Sequence, residues 1–346
     1  MCRWFAYISP TEPCLLSDVL ITPNNSLSHQ VSEHYLPGLL PHGQEHELDD
    51  SKDKLLRARN SLLNMDGMGI CFYTSASSNF TKDCFGSRPA LYKSTSPLMN
   101  DFNFKNLCNN TETKCCFAHI RASSGASIGQ VNNHPFTFGR HAFMHNGVVA
   151  SFTAIKRELS QLLTLEEYAH IQGSTDSEHM AALYIHHLTE ARGAASWEEE
   201  FKIGEMADAL ATTIADVLRV QHKVLGSEPD SPPVNPSSIN LAVTDGTKFV
   251  AVRFRNHETE QPPSLYWSDT AGVTLNSKFP DRPDDASTNF NALKKKEEHG
   301  KHIIVASEPT TYKEKEWHLI KQNEMILVDS DGSVSFEPCS FDWTVR

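Results

Sequence analysis

Position 2 holds a cysteine, and a cysteine there can have chemistry of its own. If Met1 is removed, Cys2 becomes the amino terminus, and thiol and α-amine then share one residue. An α-amine titrates at about 7.7–8.0 and a thiol near about 8.5, so the amine is a built-in general base for the thiol. Three other segments carry matching functional groups. His119-Ile120-Arg121-Ala122-Ser123-Ser124 closes an apolar run with a guanidinium. Its two parallel donors suit a carboxylate, an internal ion pair being the plainer reading. Phe143-Met144-His145-Asn146-Gly147 ends another apolar run. The Asn146 amide and the Gly147 N–H suit a developing oxyanion, although Asn-Gly also makes a tight turn. Gly173-Ser174-Thr175-Asp176-Ser177-Glu178 puts Asp176 in the first turn of a helix. There it favours the helix dipole, and it is equally able to meet an ammonium. Together these groups describe an amide whose acyl side bears both an α-carboxylate and an α-ammonium, which is a γ-glutamyl group.

Elements must hold these residues. Cys2–Ile8, Gly69–Thr74, Cys115–Ser123 and His141–Val149 read as short apolar strands. Gln44–Asp53 and Ser75–Asn110 show no period and read as loops or short helices. Phe152, Ile155, Leu159, Leu162 and Leu163 predict one amphipathic helix over about 152–170. A second helix starts at Thr175, where Thr175 and Glu178 have capping-box spacing. A third runs from about Trp197 to Val224, and the proline-rich Gly226–Ser238 is a loop. Asn240–Thr244 and Lys248–Phe254 flank Asp245-Gly246, a hairpin signal. Leu265–Ser268, His302–Ala306, Met325–Asp329 and Val334–Phe336 are further strands, with a polar loop over 270–300. Strands, then helices, then strands imply two sheets with helices packed outside, an α+β order distinct from βαβ alternation.

Composition narrows the function. Lys and Arg total 31 against 43 Asp and Glu, a formal net charge of −12, which points away from nucleic acid and anionic membrane as partners. Hydrophobic residues at 39% against 21% charged exclude a wholly disordered chain. The eight cysteines form no CxxC pair, no signal peptide is evident, and no apolar stretch approaches about 18 residues. A cytoplasmic, reduced-thiol protein is expected. No nucleotide-binding glycine motif occurs, so no cofactor is expected. His42 and His46 are spaced i, i+4 without an evident third ligand, so no metal is expected either. His134 and His145 read as structural, fixing strand ends by hydrogen bonds, since an α-amine is already available as base.

The ordered set Met1-Cys2-Arg3, Asp66-Gly67-Met68-Gly69, His119–Ser123, Asn133-His134-Pro135-Phe136, Met144–Gly147 and Gly173–Glu178 resembles the class II glutamine amidotransferases, which are N-terminal-nucleophile hydrolases. Val243-Thr244-Asp245-Gly246 and Val305-Ala306-Ser307-Glu308-Pro309 extend the likeness over nearly the whole chain. Within that family the chain looks most like the stand-alone fungal amidotransferases of cytosolic glutathione degradation. The resemblance implies a four-layer αββα sandwich and, with Met1 removed, a single domain over 2–346 with loops at about 75–110, 226–238 and 270–300. It implies Cys2 as nucleophile and base, and Asn146 with Gly147 as the oxyanion hole. Arg121, assisted by Ser124, would hold the α-carboxylate, and Asp176 the α-ammonium. Met68 stands where relatives often have an aromatic, and Ser124 where many have Thr. The expected reaction is γ-glutamyl amide hydrolysis through a thioester, with a metallopeptidase-like partner subunit. Alternatives are a γ-glutamyl amidase of ergothioneine-type biosynthesis, a glutaminase, and a non-catalytic scaffold subunit.

Overall fold

The computed structural model describes residues 2–31, 66–82, 85–122, 126–226, 236–281, 288–311 and 313–340. His42 and His46 lie outside these, as do Gln44–Asp53 and Ser124. The first-half strands are β1 (Arg3–Ile8), β2 (Cys14–Leu15), β3 (Met68–Thr74), β4 (Arg88–Ser94), β5 (Glu112–Thr113), β6 (Cys115–Ile120), β7 (Phe136–Phe138) and β8 (His141–Val148). The last third adds β9 (Ser238–Thr244), β10 (Phe249–Arg255), β11 (Tyr266–Ser268), β12 (Ile303–Ala306), β13 (His318–Leu319), β14 (Glu324–Val328) and β15 (Val334–Pro338). The helices are α1 (Leu16–Leu20), α2 (Phe102–Asn109), α3 (Phe152–Ser160), α4 (Leu165–His170), α5 (Asp176–Leu188) and α6 (Ile203–Leu225).

Among the described residues, one antiparallel sheet has the order β13-β11-β12-β1-β6-β3-β4 and a second the order β15-β14-β10-β9-β8-β7. Alternation along β1 explains how they stack. Trp4, Ala6 and Ile8 face the second sheet, packing with Ala142, Met144, Ala242 and Ala251. Phe5 and Tyr7 face the other way, onto Leu16, Val19 and Leu20 of α1 and Phe104 of α2. The outer face of the second sheet, with Phe143, Leu241 and Val250, is covered by Ile155, Met180, Tyr184, Leu210 and Leu218 from α3, α5 and α6. Strands buried on both faces read as continuous apolar runs. The result is a four-layer αββα sandwich.

Several elements differ from the sequence expectation. The stretch Ser75–Asn110 contains strand β4, paired with β3 over the register Met68↔Ser94 to Thr74↔Arg88, and helix α2, capped by the Asp101 carboxylate accepting from Phe104 N at 2.9 Å. An edge strand with Pro89 and Lys93 is half-exposed and carries no alternation to read. The helix expected over 152–170 breaks after Ser160. The capping box Thr164/Glu167 starts α4 afresh, Glu167 N meeting Thr164 Oγ1 at 3.3 Å and Thr164 N meeting Glu167 Oε2 at 2.8 Å. Trp197 lies in a 3-10 turn, stacked edge-on against Phe138, and α6 begins only at Ile203. The Asp245-Gly246 hairpin stands, with Asp245 Oδ1 accepting from Thr247 N and Lys248 N at 2.8 Å each.

Gly69 marks the closest approach between β3 and the segment leading into β7, because a Cβ there would strike the His134 carbonyl oxygen. Gly69→Ala is therefore expected to lower stability by about 1–3 kcal/mol, read as a shifted midpoint in urea unfolding.

Candidate active site

Cys2 sits at the open end of β1, whose next residue pairs Arg3↔Ile120 across to β6. Its half-buried thiol receives the Ala122 N–H at 3.2 Å and lies 3.5 Å from the Ala122 carbonyl oxygen. Burial pushes the thiol pKa up, opposed by that N–H and by the charge of Arg121. The peptide behind the thiol is fixed as well. Arg3 Nη1 donates to the Cys2 carbonyl at 3.1 Å, and Arg3 Nε lies 3.5 Å from Glu308 Oε1, which also accepts from Ser264 Oγ at 3.0 Å.

Arg121 directly follows β6 and is buried. Its guanidinium donates to the carbonyls of Ser127 at 3.1 Å and Ala126 at 3.2 Å, so it ties those two residues to the end of β6. The charges of Cys2, Asp66 and Asp176 all bear on it. Asp176 opens α5. Its Oδ2 accepts from Val149 N at 2.9 Å and its Oδ1 from Ser177 N at 2.8 Å, which ties the end of β8 to the helix. Each oxygen keeps further acceptor capacity. The capping box expected at this helix forms by half. Thr175 Oγ1 caps Glu178 N at 3.2 Å, but the Glu178 carboxylate turns to Gln172 N at 3.0 Å and Gly173 N at 2.7 Å.

Asn146 and Gly147 lie late in β8, paired with Asn240 and Ile239. Gly147 has φ +153°, and a Cβ would strike the Ser238 carbonyl oxygen, so only glycine fits. Asn146 is buried and its Nδ2 lies 3.4 Å from Ser307 Oγ, which also receives Trp4 N–H at 3.0 Å. Ser307 therefore joins the cysteine strand β1 to Asn146 of β8. No sequence signal singled it out for this, and the Ala122 N–H, a backbone group, has no side-chain signature at all.

Three histidines lie beneath. His119 Nε2 meets the His145 carbonyl at 3.1 Å, and His145 Nδ1 meets Ser177 Oγ at 3.0 Å. Among the described residues His134 makes no hydrogen bond through either nitrogen, against the expectation that it fixes a strand end that way; its ring lies tilted over His119 at 4.0 Å and edge-on to Phe136 at 4.8 Å. Burial lowers all three, His119 to about 3, so none is charged near neutrality. Among the described residues no group of three or more His, Cys, Asp or Glu side chains could hold a metal ion. No described helix is long and apolar enough to cross a membrane.

The fold brings Cys2, Arg121, Asn146, Gly147 and Asp176 to one end of the two sheets, from four separate stretches of sequence. No family model matches the chain. It is 30% identical over 330 residues to the probable glutamine amidotransferase DUG3 of Saccharomyces cerevisiae, covering 95% of this chain and 82% of that protein. The chain belongs to the class II glutamine amidotransferases. A shorter match to this amidotransferase, 30% over 94 residues, is the gamma-glutamyl-hercynylcysteine sulfoxide hydrolase of Mycobacterium tuberculosis, covering 27% of this chain and 36% of that one. Among solved structures, a glutamine aminotransferase class-II domain protein from Silicibacter pomeroyi aligns with TM-score 0.55 at 18% identity, covering 97% of this chain and 99% of that one. The PRPP amidotransferase of B. subtilis aligns with TM-score 0.51 at 13% identity, covering 99% and 50%. Both share the fold of the amidotransferase described here.

Ser307→Ala leaves the Trp4 N–H and the Asn146 amide without their shared acceptor. It is expected to cost about 1–3 kcal/mol of stability in chemical unfolding. Because burial raises the Cys2 thiol pKa, alkylation of Cys2 by iodoacetamide is expected to keep accelerating above pH ~9, followed by peptide mass spectrometry.

Proposed function

We propose that this amidotransferase hydrolyses the γ-glutamyl amide bond of glutathione, releasing glutamate and cysteinylglycine. The observation that carries the reading is the Cys2 thiol held by the Ala122 N–H at 3.2 Å, with the charges of Arg121 and Asp176 acting on it. After loss of Met1 the Cys2 amine takes the thiol proton, and the thiolate attacks the γ-carbonyl carbon. Asn146 Nδ2 and Gly147 N–H stabilise the tetrahedral oxyanion. The Cys2 ammonium then protonates the departing amine, and water cleaves the γ-glutamyl thioester. Arg121, with Ser124, receives the α-carboxylate, and Asp176 the α-ammonium.

Residues 2–346 act as one amidotransferase domain in this proposal, in the cytoplasm and beside a metallopeptidase-like partner. The match to a gamma-glutamyl-hercynylcysteine sulfoxide hydrolase favours a second reading, in which the leaving group is a thiohistidine precursor. Both readings use the same glutamyl clamp, which does not touch the leaving group.

The test is a product assay on untagged protein together with any co-purifying subunit, using glutathione, glutamine and the γ-glutamyl sulfoxide. Glutamate release from glutathione is expected, lost by roughly 10⁴-fold or more in Cys2→Ala, and intact-mass analysis should find Met1 absent. Release from glutamine alone would defeat the proposal, as would a retained Met1 or an active Cys2→Ala protein, the last pointing to a scaffold role.

A further inference from the structure

At the far edge of the two sheets, β4 and β7 diverge and leave a cleft of about 290 Å³, closed at one end by the first turn of α5. This is near the small end of the roughly 300–1,000 Å³ typical of ligand sites. Neither Cys2, Arg121, Asn146, Gly147 nor Asp176 lines it. Lys93 projects into it from β4. Its ammonium lies 4.9 Å from the centre of the Phe136 ring and makes no ion pair or hydrogen bond among the described residues. A half-buried cation with a ring face beside it and only the through-space charge of Glu178 opposing its burial has lost water that these neighbours do not replace in full. Leu91 and Val131, 44% and 45% exposed, share the rim with the polar Gln130, Thr137 and Gln172, while Phe136 and Phe138 form a buried floor.

We propose that this cleft binds a small organic carboxylate with an apolar or aromatic body, its carboxylate on Lys93 and its body on Phe136, Phe138, Leu91 and Val131. The Glu178 carboxylate faces the same space and disfavours a dianion such as phosphate. Burial lowers the Lys93 pKa to about 8, with Glu178 opposing the shift. A bound carboxylate raises it again, so the site binds best below about pH 8 and loses up to about tenfold in affinity per pH unit above that. The other groups near Lys93 are Cys71 on β3, His119 on β6 and His134 before β7, with His170 of α4 across the cleft. Burial keeps the Cys71 thiol protonated and the first two histidines neutral over that range. The inference does not depend on the proposed reaction.

The experiment is calorimetric titration of the full chain with 3-phenylpropionate, with its neutral amide 3-phenylpropanamide and with inorganic phosphate. It is paired with trinitrobenzenesulfonate labelling to map which lysine the ligand protects. Expected are binding of 3-phenylpropionate on the order of millimolar or tighter, at least about tenfold weaker binding of the amide and of phosphate, and selective protection of Lys93. Lys93→Met should lose about tenfold or more, while Lys93→Arg should keep the affinity and lose its decline above pH ~8. Absence of binding overturns the proposal. So does equal affinity for the amide or for phosphate, protection of other lysines with Lys93 unprotected, or an unchanged Lys93→Met.

Discussion

The site depends on the pairing of β1 along both of its edges. Six residues of β1 pair with β6 and four with β12, so neither flank leaves the strand free to slide. A slip of one residue would turn Trp4, Ala6 and Ile8 away from the space between the sheets and bring Phe5 and Tyr7 into it. The same slip would carry the Cys2 thiol to the wrong face. Core packing and placement of the thiol are therefore one constraint, satisfied by one register.

Electrostatics at that end of the sandwich come from fixed, mostly buried groups. Burial raises the Cys2 thiol and the Glu308 carboxyl, and lowers His119, His134 and His145. Buried charge is costly unless it is paired or hydrogen-bonded. Arg121 meets two loop carbonyls and Asp176 two backbone N–H groups. These backbone partners orient both charges before any ligand arrives, the condition under which electrostatic stabilisation needs little reorganisation.

What could be read in the sequence was local. The Asp245-Gly246 turn, the apolar runs of β1 and β8 and the Asn146-Gly147 pair announce themselves within a few residues. The break between α3 and α4 was readable too, in Thr164-x-x-Glu167, but the helical period over 152–163 masked it. β4 was not readable, because an exposed edge strand pairs through its backbone and leaves its side chains unconstrained. Ser307 was visible within a resemblance yet had no assignable task. Its task exists only when β12 lies beside β1, and the Ala122 N–H depends in the same way on β6 lying on the other side.

The Ser307 contact has a consequence in time as well as in space. Trp4 N and Ser307 Oγ are separated by 303 positions in the chain. Contacts of such separation close late, after the shorter-range hairpins and helices that reward folding early. During synthesis, β1 leaves the ribosome well before β12, and its Trp4 N–H waits for an acceptor made 303 positions later. Until β12 arrives, β1 lacks the Ser307 link to Asn146, so assembly of this cluster waits on β12.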